Sequence, residues 1–174
     1  MTDRPILPAH AFLNQNGIQY ERRSFPTTTE KGAAAVAHAL GYSERQMVKT
    51  LIFETDQGEA CLVMLGGDQS AVSSNLKKAL GSRNIRLAAP EKVVRVTGYI
   101  VGSIPPFHWQ PAGFRAFIDA ALLRETILGV GTGQWGEEIL LTPTDLVRAS
   151  GSQVVNLTDL NQPVFPPTSP SSID

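Results

Sequence analysis

The segment TGYIVGSIPPFHW, residues 97–109, sets two glycines and two adjacent prolines among apolar and aromatic residues, and no charge follows until Arg115. Glycine serves backbone that must adopt a conformation closed to other residues or approach something closely, while proline fixes one dihedral and removes an amide donor. Together they make a rigid loop. A surface hairpin would carry Asn, Asp or Ser around its glycine, whereas the neighbours here are Tyr99, Ile100, Val101, Ile104 and Phe107. The loop is therefore expected to be half buried, as a structural corner or as one wall of a pocket.

The rest of the chain has to fold around that loop. With 174 residues, 42% of them hydrophobic, it is long enough for one domain with a proper core and too short for two comfortable ones. The expected domain spans residues 1–160. The remainder, 161–174, is rich in Pro and Ser, offers little to bury and reads as a tail. Glycine and proline punctuation yields short helices near 9–16, 32–40, 73–80, 90–96 and 142–149, with Gly41 and Gly81 as stops and Thr142 as an N-cap. Ser43 and Gln46 have the spacing of a capping box. Strand-like runs lie at 18–25, 47–53, 59–65, 85–87, 114–118, 127–130, 138–141 and 154–155. Interleaving of this kind predicts an α+β fold with a mixed, strongly curved sheet.

Composition narrows the chemistry. A net charge of -1 argues against wrapping long stretches of nucleic acid. The bases nevertheless cluster: Lys77, Lys78, Arg83, Arg86, Lys92 and Arg95 face only Glu91 within their stretch. That run is a solvated helix face or a local patch for a phosphate-bearing partner. The single cysteine, Cys61, excludes an internal disulfide framework, fits a reducing compartment and sits in an apolar run that suggests packing. The N-terminus has no leader pattern and no run approaches a membrane span, so the expected location is cytoplasmic. The three histidines, His10, His38 and His108, have no metal-pair spacing, and neither a metal nor a cofactor is expected.

Two positions and one turn have double readings. Lys49 interrupts the apolar run MVKTLIF, where it either snorkels to solvent or points into a concave site as a fixed charge for phosphate. Asp119, which ends FRAFID, is an N-cap or a carboxylate facing a cavity. The turn GVGTGQWG lacks the Lys-Ser/Thr of a phosphate loop, and Trp135, Glu137 and Glu138 would be poor neighbours for nucleotide phosphates. It is a glycine-rich hairpin or a ring of exposed amides able to hold a carbonyl, carboxylate or water.

Four segments, QMVKTLIF, TGYIVGSIPPF, FRAFIDAALL and GVGTGQWGEEILLTPTDLVRASGSQVVNLTD, resemble in order and spacing the YbaK/EbsC family, the prolyl-tRNA-synthetase-associated editing domain. The resemblance implies a barrel-like closure of the curved sheet with short helices around it, and hydrolysis of amino acids wrongly attached to tRNA, chiefly tRNA for proline carrying Cys, Ala, Ser or Thr. It implies a catalytic set of Lys49, Gly102 and Asp119, with Lys49 on the phosphate of the terminal adenosine and the GxxxP loop from Gly102 to Pro106 around the aminoacyl ester. The implied substrate-binding set is Thr50, Ser103, Ile104, Pro105, Pro106, Gly131, Thr132, Gly133, Phe25 and His108. The partners expected from it are the acceptor end of aminoacyl-tRNA and a prolyl-tRNA synthetase.

An aminoacyl ester is already activated, so positioning a water and the vicinal ribose hydroxyl, with backbone amides on the oxyanion, can suffice without a protein nucleophile. Two departures from the family touch the pocket: Gly131-Thr132-Gly133 stands where relatives carry Ser-Gly-Gly, and His108 stands in the place of a glycine. They keep a second reading open, a binding module that uses the same pocket for an amino acid, nucleotide or protein without hydrolysis. A purely structural domain is the third.

Overall fold

The computed structural model describes residues 4–167. Five helices, α1 (Pro8–Gln15), α2 (Ala33–Leu40), α3 (Ser73–Leu80), α4 (Pro90–Thr97) and α5 (Pro143–Ser150), alternate with eight strands. The strands are β1 (Glu21–Ser24), β2 (Lys49–Thr55), β3 (Ala60–Leu65), β4 (Ile85–Leu87), β5 (Ala116–Asp119), β6 (Leu128–Gly131), β7 (Glu137–Leu141) and β8 (Gln153–Val155). Helices α1, α4 and α5 each open on a proline, whose missing N–H would have no intrahelical partner there anyway. The Thr142 hydroxyl accepts the Asp145 N–H at 3.2 Å as the cap of α5. Gln46 accepts the Ser43 N–H at 3.0 Å around the 3-10 turn Glu44–Gln46.

The expected single barrel-like sheet does not form. The strands divide into two open sheets, a three-stranded one in the order β1-β7-β6 and a five-stranded one in the order β4-β2-β3-β5-β8. Among the described residues one backbone bridge joins them, Met47 to Gly129, where the Val48 N–H donates to the Gly129 carbonyl at 2.9 Å. The strands are too short for closure. β4 and β8 have three residues each and leave the edges of the larger sheet open. Its pairing is mixed as predicted: β2 is antiparallel to β3 and β4, while β5 is parallel to β3 and β8.

Strand parity sorts the core into layers. On β3, Leu62 and Met64 point into the main cluster with Leu13 of α1, Ile139 and Leu141 of β7 and Leu146 of α5. Cys61, Val63 and Leu65 point the other way, onto Leu76, Ala79 and Leu80 of α3. A central strand covered on both faces has to be apolar throughout, which the run CLVML supplies. Burial pushes the Cys61 thiol up to about 12, so it acts as a packing residue. A third cluster sets Val36 and Ala37 of α2 against Phe25, Met47 and Leu140. Val164, in the expected tail, joins the α3 cluster, and its carbonyl accepts the Asn156 N–H at 2.7 Å; residues 168–174 of that tail lie outside the described part.

The 97–109 loop sends Ile104 and Phe107 into the main core, with Phe107 fully buried. Burial of a Phe side chain stabilises by about 2–3 kcal/mol. The Pro105 carbonyl accepts the Trp109 indole N–H at 2.6 Å and the Pro106 carbonyl accepts the Gln110 side chain at 2.8 Å. One end of the loop is thereby held down, and the residues before it are left at the surface. Among the described residues no helix is long and apolar enough to cross a membrane.

Candidate active site

A cavity of about 410 Å³ opens where the two sheets meet. β2 contributes Lys49 and Thr50, the loop contributes Gly102, Ser103 and Ile104, and the β6–β7 hairpin contributes Gly131, Trp135 and Glu138. Lys31, Val36 and Met47 close the side under α2. Six of the residues expected from the sequence therefore share one cavity: Lys49, Thr50, Gly102, Ser103, Ile104 and Gly131. The loop is a pocket wall and a corner at once.

Close backbone approach holds the loop on the hairpin. The Gly133 N–H donates to the Ser103 carbonyl at 2.8 Å. A side chain at Gly131 would place its Cβ 2.9 Å from the Ser103 carbonyl carbon and oxygen, and one at Gly133 would strike the Tyr99 ring at 2.2 Å. Gly102 has φ +99°, in the region that favours glycine. Among the described residues the N–H groups of Gly102 and Ile104, both residues of the cavity lining, have no acceptor.

Polar groups in this cavity are unusually free. The Lys49 ammonium donates to the Gln69 carbonyl, which anchors it at the cavity wall and leaves further N–H donors. The Thr50 hydroxyl is buried without a partner among the described residues. Such a group costs free energy unless something in the cavity bonds it. Glu138 has no hydrogen bond or ion pair among the described residues, and burial pushes its carboxyl up to about 8. Its neighbour Glu137 points to the opposite face of β7, where Arg22 grips it at 2.5 and 3.1 Å and His10 lies 3.1 Å away. Burial opposes ionisation of Glu137, but the Arg22 hydrogen bonds and charge outweigh it and hold that carboxyl below its usual value.

The other expected residues stand outside the lining. Asp119 is fully buried: its Oδ1 accepts the Leu157 N–H at 2.8 Å and its Oδ2 accepts the Thr158 hydroxyl at 2.9 Å. It neither caps the following turn through its side chain nor faces the cavity. Pro105 and Pro106 are buried behind the wall, and Thr132 turns inward to accept the Gln134 N–H at 3.2 Å. Gly133 lies under Tyr99. Phe25 meets the Trp135 ring edge-on at 4.9 Å and acts through it. His108 bonds the Tyr99 hydroxyl at 2.6 Å and has φ +79°, the only non-glycine residue with positive φ among those described. That backbone geometry is one that glycine adopts more readily than histidine. Burial lowers the His108 pKa, which favours the neutral ring.

Sequence reasoning missed Glu138, Trp135 and Lys31 as cavity residues. A signal existed for Glu138: on β7 it shares a face with Leu140, which packs against Val36 and Met47, so an acid two residues earlier had to point toward the same interior.

Residues 27–149 match the family model of the aminoacyl-tRNA editing domain. The chain is 28% identical over 150 residues to the multifunctional Ser/Thr-tRNA deacylase ProXp-y of Escherichia coli (strain K12), covering 84% of this chain and 88% of that protein. It is 40% identical over 86 residues to the proline–tRNA ligase of Halalkalibacterium halodurans, covering 49% of this chain and 15% of the ligase. A crystal structure described as a candidate trans-editing enzyme for prolyl tRNA synthetase superposes with a TM-score of 0.78 at 26% identity, covering 87% of this chain and 95% of that one.

Proposed function

The chain belongs to the aminoacyl-tRNA editing domain family, and from that premise we propose that it hydrolyses the ester of tRNA carrying a small wrong amino acid, acting in trans beside a prolyl-tRNA synthetase in the cytoplasm. The observation that carries this reading is that Lys49, Glu138 and the Gly102–Ile104 loop, two of whose amides have no acceptor among the described residues, line one cavity. Lys49 takes the phosphate of the terminal nucleotide as a point charge. That contact directs the aminoacyl ester toward Gly102 and Ile104, and Thr50 supplies a further hydroxyl for substrate or water.

A water then attacks the carbonyl carbon while its proton passes to the Glu138 carboxylate. A general base works best with a pKa near the operating pH, and burial places Glu138 there. The oxyanion is held by the Gly102 and Ile104 amides. As the ester C–O bond breaks, the proton moves on to the ribose oxygen, releasing free amino acid and intact tRNA. Ser and Thr head the list of substrates, in line with the deacylase relative, with Ala and Cys to be compared.

The test is release of labelled amino acid from tRNA for proline charged separately with Ser, Thr, Ala, Cys and Pro. Loss of a charge-assisted phosphate contact should cost Lys49→Ala about 10- to 100-fold in kcat/KM on the preferred species. Wild-type rates in the folded Lys49→Ala variant would overturn the assignment. Absence of release from every species by wild type would leave a binding site without hydrolysis.

A further inference from the structure

The mouth of the cavity carries features that ester hydrolysis does not use. The Trp135 indole is fixed by the Phe25 edge at 4.9 Å and by its N–H, which donates to the Thr27 carbonyl at 3.1 Å. The Lys31 ammonium lies 3.6 Å from its ring centroid. Ile100 and Val101 are 65% and 56% exposed on the loop that packs against the same hairpin, and both line the cavity. A rigid aromatic ring that lines the same cavity as exposed aliphatic groups invites a flat apolar ligand, and the lysine over the ring adds attraction for a negative charge.

A terminal nucleotide supplies both chemistries. With its phosphate on Lys49 and its ester carbonyl at the loop amides, the ribose ties its base to the vicinity of the cavity mouth. We propose that Trp135, flanked by Ile100 and Val101, is the stacking platform for the base of the 3′-terminal nucleotide, and that Lys31 leaves the ring on binding and turns to a phosphate. This rests on the reading of the cavity as an aminoacyl-tRNA site. Base stacking on an aromatic side chain is tolerant of base identity, so the platform fixes position and leaves amino-acid choice to the interior.

The experiment compares a CCA trinucleotide bearing a hydrolysis-resistant 3′-seryl amide with the same probe lacking its terminal base. Wild type should bind the complete probe about 5- to 100-fold more tightly. Trp135→Leu should bind the two within about twofold, and Trp135→Phe should keep most of the preference. A structural role for Trp135 would weaken both probes alike and leave the preference intact, which overturns the proposal, as would equal or unmeasurable binding of the two probes by wild type. Should Trp135→Leu fail to fold, emission of Trp135 in a Trp109→Phe background decides: quenching by the complete probe alone supports stacking, and no quenching overturns it. Hydrolysis of seryl-tRNA by wild type is measured separately. Hydrolysis without base preference removes only the platform, whereas base preference without hydrolysis removes the deacylase reading and leaves the platform standing.

Discussion

Glu138 combines a stability cost with a chemical use. In the unfolded chain its carboxyl titrates near 4.5, and in the fold it titrates near 8. Below the lower value both states are protonated and stability is unaffected. As pH rises toward 8 the unfolded state ionises first, so the contribution of Glu138 to stability is lost through that window. Glu138→Gln escapes the loss. It should melt with wild type near pH 4 and about 10–20 °C higher near pH 8.5, because a carboxyl raised from 4.5 to about 8 costs the fold roughly 5 kcal/mol once ionised. The same variant should lose most of its deacylation and the rise of kcat/KM with pH toward about 8. A variant that keeps the pH profile and raises only KM would make Glu138 a ligand for the substrate ammonium in place of a base.

Between elements, what matters is how the loop sits on the β6–β7 hairpin. Reinstating the family serine by Gly131→Ser puts a Cβ 2.9 Å from the Ser103 carbonyl, a backbone group that can yield only by moving the loop. We expect kcat/KM to fall at least tenfold with a loss of about 1–3 kcal/mol in stability; a more active Gly131→Ser enzyme would show that the loop has slack. The same contact illustrates what could be read from the sequence. Helices and strands emerged within a few residues because glycine and proline punctuate them locally, as in α3 (Ser73–Leu80) and β4 (Ile85–Leu87). Lys49 and the Gly102–Ile104 loop stood out as local anomalies, a lysine inside an apolar strand and a rigid glycine-proline loop, but their assignment to one pocket, and Thr50 altogether, came from the family resemblance. The division into two sheets was not legible, since it depends on edge pairing between residues far apart, such as Arg22 with Ile139 and Val63 with Phe117.

At the scale of the whole molecule, the cavity occupies the seam between the sheets while a separate set of buried polar groups braces the far connections. Asp119 belongs to that second set. It lies at the end of β5 and ties the Leu157–Thr158 segment, whose Leu157 packs with Val155 and Val164 against α3. Ligand binding and bracing can both bury an aspartate, and only its partners tell them apart. Asp119→Asn replaces one accepting oxygen with a donor, leaving the Leu157 N–H or the Thr158 hydroxyl poorly paired. A hydrogen bond to a charged group contributes about 1.5–3 kcal/mol, so the variant should melt about 3–10 °C below wild type. Its kcat/KM, measured well below the melting range, should stay within about twofold, because no atom of Asp119 lines the cavity. The reverse pattern, an unchanged melt with a large loss of activity, would move Asp119 from the brace to the reaction and require the cavity to extend to the end of β5 when substrate is bound.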